Sequence, residues 1–352
     1  MTEAIRSAAR RSATLEDVAR VAGVSRATAS RVVNGVRNVA PDIQESVRRA
    51  IAVTGYVPNS AARSLVTRRA GAIALVVSGT GVYESDGASA RSQVFTDPFF
   101  GRVVSGVLTA LRPQGIYPVL MLAADAEARE QILRYLRQGN ADGALVVSTH
   151  AEDPLPAQLA EYELPVVQFG RPETRLPISY VDLANYTAAG LVADHLVGRG
   201  CERVVAIAGP GGVPAARDRL NGFRDAMARH GYPEVPCAEG DFTGASGEQA
   251  MARLLAAHPE LDGVFAANDL MAQGALAVLR DHGRRIPEDV AVVGFDDSSA
   301  AIAGRPLLTT VRQPVEAMAE EMTRILLDTL TRPERRAVSV VFDASLVIRQ
   351  SA

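Results

Sequence analysis

Apolar and polar positions follow two different periods along this chain, and the change of period divides it. In residues 14–35, TLEDVARVAGVSRATASRVVNG sets Leu15, Val18, Ala19 and Ala22 on one helical face and Val24, Ala29, Val32 and Val33 on a second. Thr14 with Asp17 three positions on predicts a capping box, Gly23 a turn, and Ser25 the cap of the second helix. Residues 42–53 read as a third helix, for which Pro41 suits the first turn. The stretch YVPNSAARSLVTRRAG then carries a start signal at Pro58 and Asn59, followed by about ten good helix formers with little to bury; alone, such a segment is too short to be stable in water.

From Gly71 onward the pattern changes. Short apolar runs (AIALVVS, YPVLMLA, GALVVS, PVVQF, RVVAIAG, GVFAAN, VAVVGFD) alternate with amphipathic stretches at 100–111, 126–137, 187–198, 219–229 and 270–281. Continuous rather than alternating hydrophobicity means strands buried on both faces, hence parallel sheets with helices on either side. The strands are too many for one unit, so an α/β fold of two Rossmann-like subdomains facing a cleft is expected. The Gly- and Ser-rich stretch 79–96 reads as a surface loop, or alternatively as a flap at the cleft edge.

Composition sharpens this picture at three points. A chain of 352 residues is long for one core, and although 47% is hydrophobic, no apolar run approaches the roughly 20 residues of a membrane helix. The opening MTEAIRSAARRSA is basic with no apolar segment behind it, neither signal peptide nor anchor, which predicts a cytoplasmic protein. Cys201 and Cys237 form no CxxC pair and no metal-ligand spacing; both read as small buried hydrophobes, with no disulfide, metal or cofactor expected.

Charge is distributed unevenly. Residues 1–70 hold 12 arginines against 5 acidic residues, while the remainder holds 25 against 35, so a basic head precedes an acidic body. Lysine is absent, which codon bias explains most simply, but the local excess of guanidinium groups suggests a polyanionic partner. On the second helix Arg26, Ala27, Ser30 and Arg31 lie away from the apolar side or at its margin. A cationic face of low profile suits a major groove about 12 Å wide, where small residues let the backbone approach base edges.

Candidate chemistry in the body sits where the strands end, the position at which ligands of open α/β sheets bind. Phe99 and Phe100 follow the first strand, Arg171 the fourth; Arg219 opens a helix; Asn268 with Asp269, Asp296 and Gln313 close later strands. Each is ordinary alone. No HExxH, Walker A or GxSxG pattern is present, AGPGGVP does not match GxGxxG, and five histidines include no ligand-like pair, so no enzyme is expected.

TLEDVARVAGVSRATASRVVNG followed by YVPNSAARSL closely resembles the N-terminal signature of the lactose-repressor/galactose-repressor (LacI/GalR) family of bacterial transcription factors. That resemblance implies base reading by Arg26, Ala27 and Arg31, and backbone contacts by Thr14, Ser25, Thr28, Ser30 and Asn34. It makes 58–70 a hinge helix folded on the operator, with Asn59 at its start, Leu65 as the minor-groove wedge and Ala62 packed nearby. The family often has a capping Ser or Thr where this chain has Ala40, which predicts a weaker third helix.

The organisation implied is a helix-turn-helix domain at 1–57 (with 1–13 disordered), the hinge at 58–70, and an effector-binding and dimerisation body at 71–352. This body resembles periplasmic sugar-binding proteins: an N-subdomain of 71–175 and 305–330, and a C-subdomain of 176–304 and 331–352. Phe99, Phe100, Arg171, Arg219, Asn268, Asp296 and Gln313 resemble the family's effector pocket, with Arg219 and Asp296 suited to grip vicinal sugar hydroxyls. Ala184 and Asn185 depart from the usual Asp-Asn of one pocket corner, with Asp182 two positions earlier. The expectation is a homodimeric repressor of carbohydrate genes on a near-palindromic operator, controlled by a small sugar-like effector. The alternative is a purine- or nucleoside-type corepressor. A solute-binding transport protein would share the body but not the N-terminal motif, and SLVIRQSA at the end carries no heptads for a coiled-coil tetramer.

Overall fold

The computed structural model describes residues 13–34, 39–57, 69–78, 96–148, 150–332, 334 and 336–352. The chain divides into two compact units, 1–71 and 72–352. In the first, α1 (Leu15–Ala22), α2 (Arg26–Val33) and α3 (Pro41–Thr54) enclose Val18, Val47 and Ala50, with Val24, Val32, Ile43 and Tyr56 packed around them. The capping box forms: the Asp17 amide donates to Thr14 Oγ1 at 3.3 Å and the Thr14 amide to Asp17 Oδ2 at 3.0 Å. Gly23 turns the chain in the left-handed region at φ 69°, open to glycine without steric cost. Ser25 caps α2 by accepting from the Thr28 amide at 3.1 Å. Ala40 offers no side-chain cap, and α3 starts on Pro41 alone.

The second unit contains two six-stranded sheets. In chain order the body elements are β1 (Ala72–Ser78), α4 (Pro98–Leu111), β2 (Tyr117–Ala123), α5 (Ala126–Arg137), β3 (Ala144–Ser148), α6 (Leu155–Glu161), β4 (Val166–Phe169) and β5 (Ser179–Leu183). There follow α7 (Asn185–Gly198), β6 (Val204–Ala208), α8 (Pro214–Arg229), β7 (Cys237–Glu239), α9 (Gly244–Ala257), β8 (Gly263–Ala266), α10 (Asp269–Asp281) and β9 (Ala291–Asp296). The last are α11 (Ala300–Ala303), β10 (Thr309–Arg312), α12 (Val315–Thr331), β11 (Ser339–Phe342) and β12 (Ser345–Val347). The sheets run β11-β5-β4-β3-β1-β2 and β12-β10-β9-β8-β6-β7. All pairings are parallel except β10 with β12, so the expectation of parallel sheets holds up to one antiparallel edge.

All seven apolar runs form strands, the continuous runs of β4, β6 and β9 being buried throughout. Five further strands were not anticipated. β5 alternates buried and half-buried positions, and β11 lies at a sheet edge with exposed alternate residues, so neither has a continuous apolar run.

This corrects the crossings between subdomains. They fall between β5 and α7, at Gln313 and Pro314 between β10 and α12, and between β11 and β12. Each lies one strand later than the ranges 71–175 with 305–330 and 176–304 with 331–352 place it. A second correction concerns Arg219: α8 opens at Pro214, where the missing amide hydrogen costs no helix bond, so Arg219 lies in the second turn rather than at the start. One buried apolar cluster runs through both halves, from Ile73 and Leu145 to Phe223 and Phe265.

Candidate functional site

In the first unit the sequence sets a helix with two distinct sides. Ala29 is buried, whereas Ser25, Arg26, Ala27, Arg31 and Asn34 are exposed and Thr28 and Ser30 half-exposed. Arg26 Nε lies 2.8 Å from Glu16 Oε1, so α1 steadies this guanidinium on the open face. The hydroxyls of Thr14 and Ser25 are engaged as helix caps, and Asn34 Nδ2 donates to Ser30 Oγ at 3.2 Å. Asn59, Ala62 and Leu65 lie outside the described residues, as do 1–12 and 79–95.

In the body, the strand ends of both sheets enclose a cavity of about 370 Å³. Its depth is built on Arg219, only 7% exposed. The guanidinium donates from Nε to Asn185 Oδ1 at 2.9 Å, from Nη1 to the Ala267 carbonyl at 2.7 Å and to Asp296 Oδ1 at 3.3 Å, and from Nη2 to Gln313 Oε1 at 3.0 Å. Its carbon stands 3.7 Å from the centroid of the Phe295 ring, a cation over an aromatic face. An arginine so fixed meets the rule that a buried charge needs both a partner and satisfied donors. On the same cavity wall the Phe99 ring meets Phe100 and Phe169 edge-on, at 5.2 and 5.4 Å between centroids.

Burial opposes charge on both members of the central pair, lowering the Arg219 guanidinium and raising the Asp296 carboxyl, with each partner's charge acting the other way. A guanidinium does not deprotonate in proteins, so the carboxyl is the member whose charge depends on surroundings. Burial also raises Asp97, opposed by the Phe99 amide it caps, and Asp182, opposed by the Leu183 amide. Carboxylates desolvated in this way, with lone pairs facing a cavity, are acceptors for ligand hydroxyls.

Of the residues anticipated from the sequence, Phe99, Phe100, Arg219, Asn268, Asp296 and Gln313 line this cavity together. Asn268 also caps α10, accepting from the Met271 amide at 2.9 Å, and its Nδ2 donates to the Phe242 carbonyl at 2.9 Å. Arg171 does not line it. That side chain is more than half exposed at the cleft lip, 3.0 Å from Asp218. Beside it Arg217 meets Glu173 at 2.6 Å and the Ala151 amide donates to the Gly212 carbonyl at 2.9 Å, all bridging the first half of the body to the second.

Sequence reasoning missed Asp97, Ser148, His150, Asp241, Phe242 and Thr243, which also face the cavity. Asp97 and Thr243 carry the signal of helix caps before Pro98 and Gly244, and a cap at a strand-to-helix junction faces the ligand side of such a sheet. His150 lies against Gly212, where a Cβ would have no room.

A helical hairpin with an open guanidinium face, followed in the same chain by a two-sheet body around a polar, aromatic-walled cavity, defines a ligand-responsive DNA-binding regulator. The chain belongs to the lacI family of bacterial regulatory proteins, whose model matches residues 14–59, and residues 193–352 match a periplasmic binding protein-like domain. It is 43% identical over 346 residues to the HTH-type transcriptional regulator CelR of Thermobifida fusca, covering 97% of this chain and 99% of that one. The ribose operon repressor of Escherichia coli strain K12 is 30% identical, with 97% and 100% covered. Among solved structures, a transcriptional regulator CelR–cellobiose complex superposes with a TM-score of 0.74 at 41% identity, covering 97% and 100% of the two chains. A lac repressor dimer bound to operator and the anti-inducer ONPF superposes with a TM-score of 0.82 at 25% identity, covering 97% and 99%. The protein is a DNA-binding transcriptional regulator.

Proposed function

We propose that this regulator is a homodimeric repressor of carbohydrate genes, acting in the cytoplasm, whose effector is a two-ring sugar of the cellobiose type bound in the body cavity. The observation that carries this reading is the buried Arg219 cluster beneath aromatic walls. It offers fixed carboxylate and amide acceptors and a desolvated cation to hydroxyls, and ring faces to the apolar sides of a pyranose. The volume of about 370 Å³ falls in the range of roughly 300–1,000 Å³ usual for small-molecule sites and leaves room for more than one sugar ring. The similarity to a regulator solved with cellobiose supports the same ligand class. The cavity is read as a binding site and not a reaction centre, because its central cation is held by four internal acceptors.

On the DNA side, Arg26, Ala27 and Arg31 are assigned to base edges of one half-site, with Thr28, Ser30 and Asn34 beside the backbone. Thr14 and Ser25 position α1 and α2 through their caps, and Asn59, Ala62 and Leu65 form the hinge contact. Among the described residues no helix is long and apolar enough to cross a membrane.

The test is thermal unfolding and calorimetric titration with cellobiose, cellotriose, lactose, ribose and hypoxanthine. A β-linked disaccharide should raise Tm with a concentration dependence set by its affinity, about 2.7 kcal/mol of stabilisation at one hundred times Kd. Stabilisation by hypoxanthine alone would make the cavity a purine site and overturn the sugar reading.

A further inference from the structure

The two cavity residues Asp296 and Gln313 are each gripped twice. On the cavity side their side chains meet Arg219. Their backbone carbonyls meet a second guanidinium, that of Arg102 in the second turn of α4: Nη1 donates to the Asp296 carbonyl at 2.8 Å and Nη2 to the Gln313 carbonyl at 2.8 Å. Arg102 is itself anchored on α12, where Nε and Nη2 each lie 2.7 Å from one Glu316 carboxylate oxygen, a bidentate fork. No sequence motif marks Arg102, and the residues it joins are 194 to 214 positions away.

Three local features explain why the grip forms. Asp296 and Arg312 are paired neighbours on β9 and β10, so the ends of these strands, and with them the carbonyls of Asp296 and Gln313, come side by side. Gly106, one turn beyond Arg102, lets α4 lie against α12: an added Cβ would fall 2.8 Å from Ala319 Cβ and closer still to the Glu316 carbonyl. That close approach places Glu316 within reach. Finally, Asp296 has φ 108° and Asp297 φ 51°, a turn that L side chains rarely adopt and that persists only where surroundings over-determine it. Arg102 supplies one such determinant from outside the cavity.

We propose that Arg102 is a positioning residue for the effector: from α4 it fixes the backbone of Asp296 and Gln313 at the crossing between the two halves, so that their side chains are aimed at the ligand. The inference rests on the reading of the cavity as the sugar site. Glu316 orients Arg102 but touches neither carbonyl. An ion pair that served stability alone would behave alike whichever partner was altered, whereas a positioning arginine would not.

The experiment compares the full-length protein with Arg102→Gln, Arg102→Lys and Glu316→Gln, measuring cellobiose affinity by calorimetry and sugar-free thermal unfolding. Arg102→Gln should weaken cellobiose binding at least tenfold, Glu316→Gln less than threefold at a similar fall in Tm, and Arg102→Lys should recover part of the loss. Equal losses of affinity in Arg102→Gln and Glu316→Gln, or cellobiose bound by Arg102→Gln as by the wild type, would overturn the positioning role alone. A wild type that binds neither cellobiose nor any other saccharide would overturn the sugar reading and this inference with it.

Discussion

At the scale of single residues, Arg219 shows how a proposed binding group can also be structural. Its guanidinium satisfies acceptors from Asn185, Ala267, Asp296 and Gln313, so its removal leaves the buried Asp296 carboxyl without the cation it contacts. Arg219→Met is therefore expected to destabilise the body by about 3–5 kcal/mol as well as to abolish sugar binding. The pH dependence of that loss has a definite sign. Burial already raises the Asp296 carboxyl, and without Arg219 it rises further; a carboxyl raised in the folded state takes up its proton more readily there than when unfolded. The destabilisation should thus be largest above the variant's folded value and shrink as pH falls to the wild type's own raised folded value, below which both proteins respond to pH alike. Urea unfolding of wild type and variant at several pH values measures this, and a loss constant with pH would show that Asp296 is not the group left stranded.

Secondary elements take their positions from capping and close approach. Thr14, Asp97, Asp125, Thr243 and Asn268 each accept a backbone amide at the start of a helix, and these starts are readable because a cap needs only a few consecutive residues. The contact of α4 with α12 is not readable in that way. It depends on Gly106 facing Glu316 and Ala319, residues more than 200 positions away. Gly106→Ala should force the two helices apart, at a cost of about 1–3 kcal/mol for overpacking, and weaken cellobiose binding by loosening the Arg102 fork. Denaturant unfolding together with calorimetry would check both effects. Unchanged values would mean that the helices part without disturbing the site.

For the whole molecule, the proposed sugar site and the DNA-binding helices belong to different units of one chain, and coupling between them is a free energy that must read the same in both directions. Cellobiose affinity measured with and without a duplex selected by the protein from a random DNA pool should change by the same factor as duplex affinity measured with and without cellobiose. Unequal factors would show that an additional binding event was being measured. Duplex affinity should also fall steeply with salt, since the first unit's arginines displace condensed counterions. A flat salt response would remove DNA as the partner of the basic head.

What the amino-acid sequence determined by itself is local. The three N-terminal helices follow from caps on the first two, Pro41 at the start of the third, a left-handed glycine and apolar spacing within one or two turns; runs such as those of β4, β6 and β9 became strands because burial on both faces leaves no polar position to confuse them, and β2, at a sheet edge, was readable from its apolar run alone. Six of the seven expected cavity residues came together because strand ends of parallel sheets all point to one cleft. The tertiary structure alone decided the rest. Strand β5 and edge strand β11 alternate, because a partly covered face tolerates polar side chains, and overlooking them together with β10 displaced the three crossings by one strand each. Arg171 went to the lip because Asp218 stands across from it, and Arg102 came to hold Asp296 because two helices meet at a glycine. These outcomes turn on pairings between distant residues, and no local pattern of hydrophobic and polar positions specifies which distant carbonyl or carboxylate a guanidinium will meet.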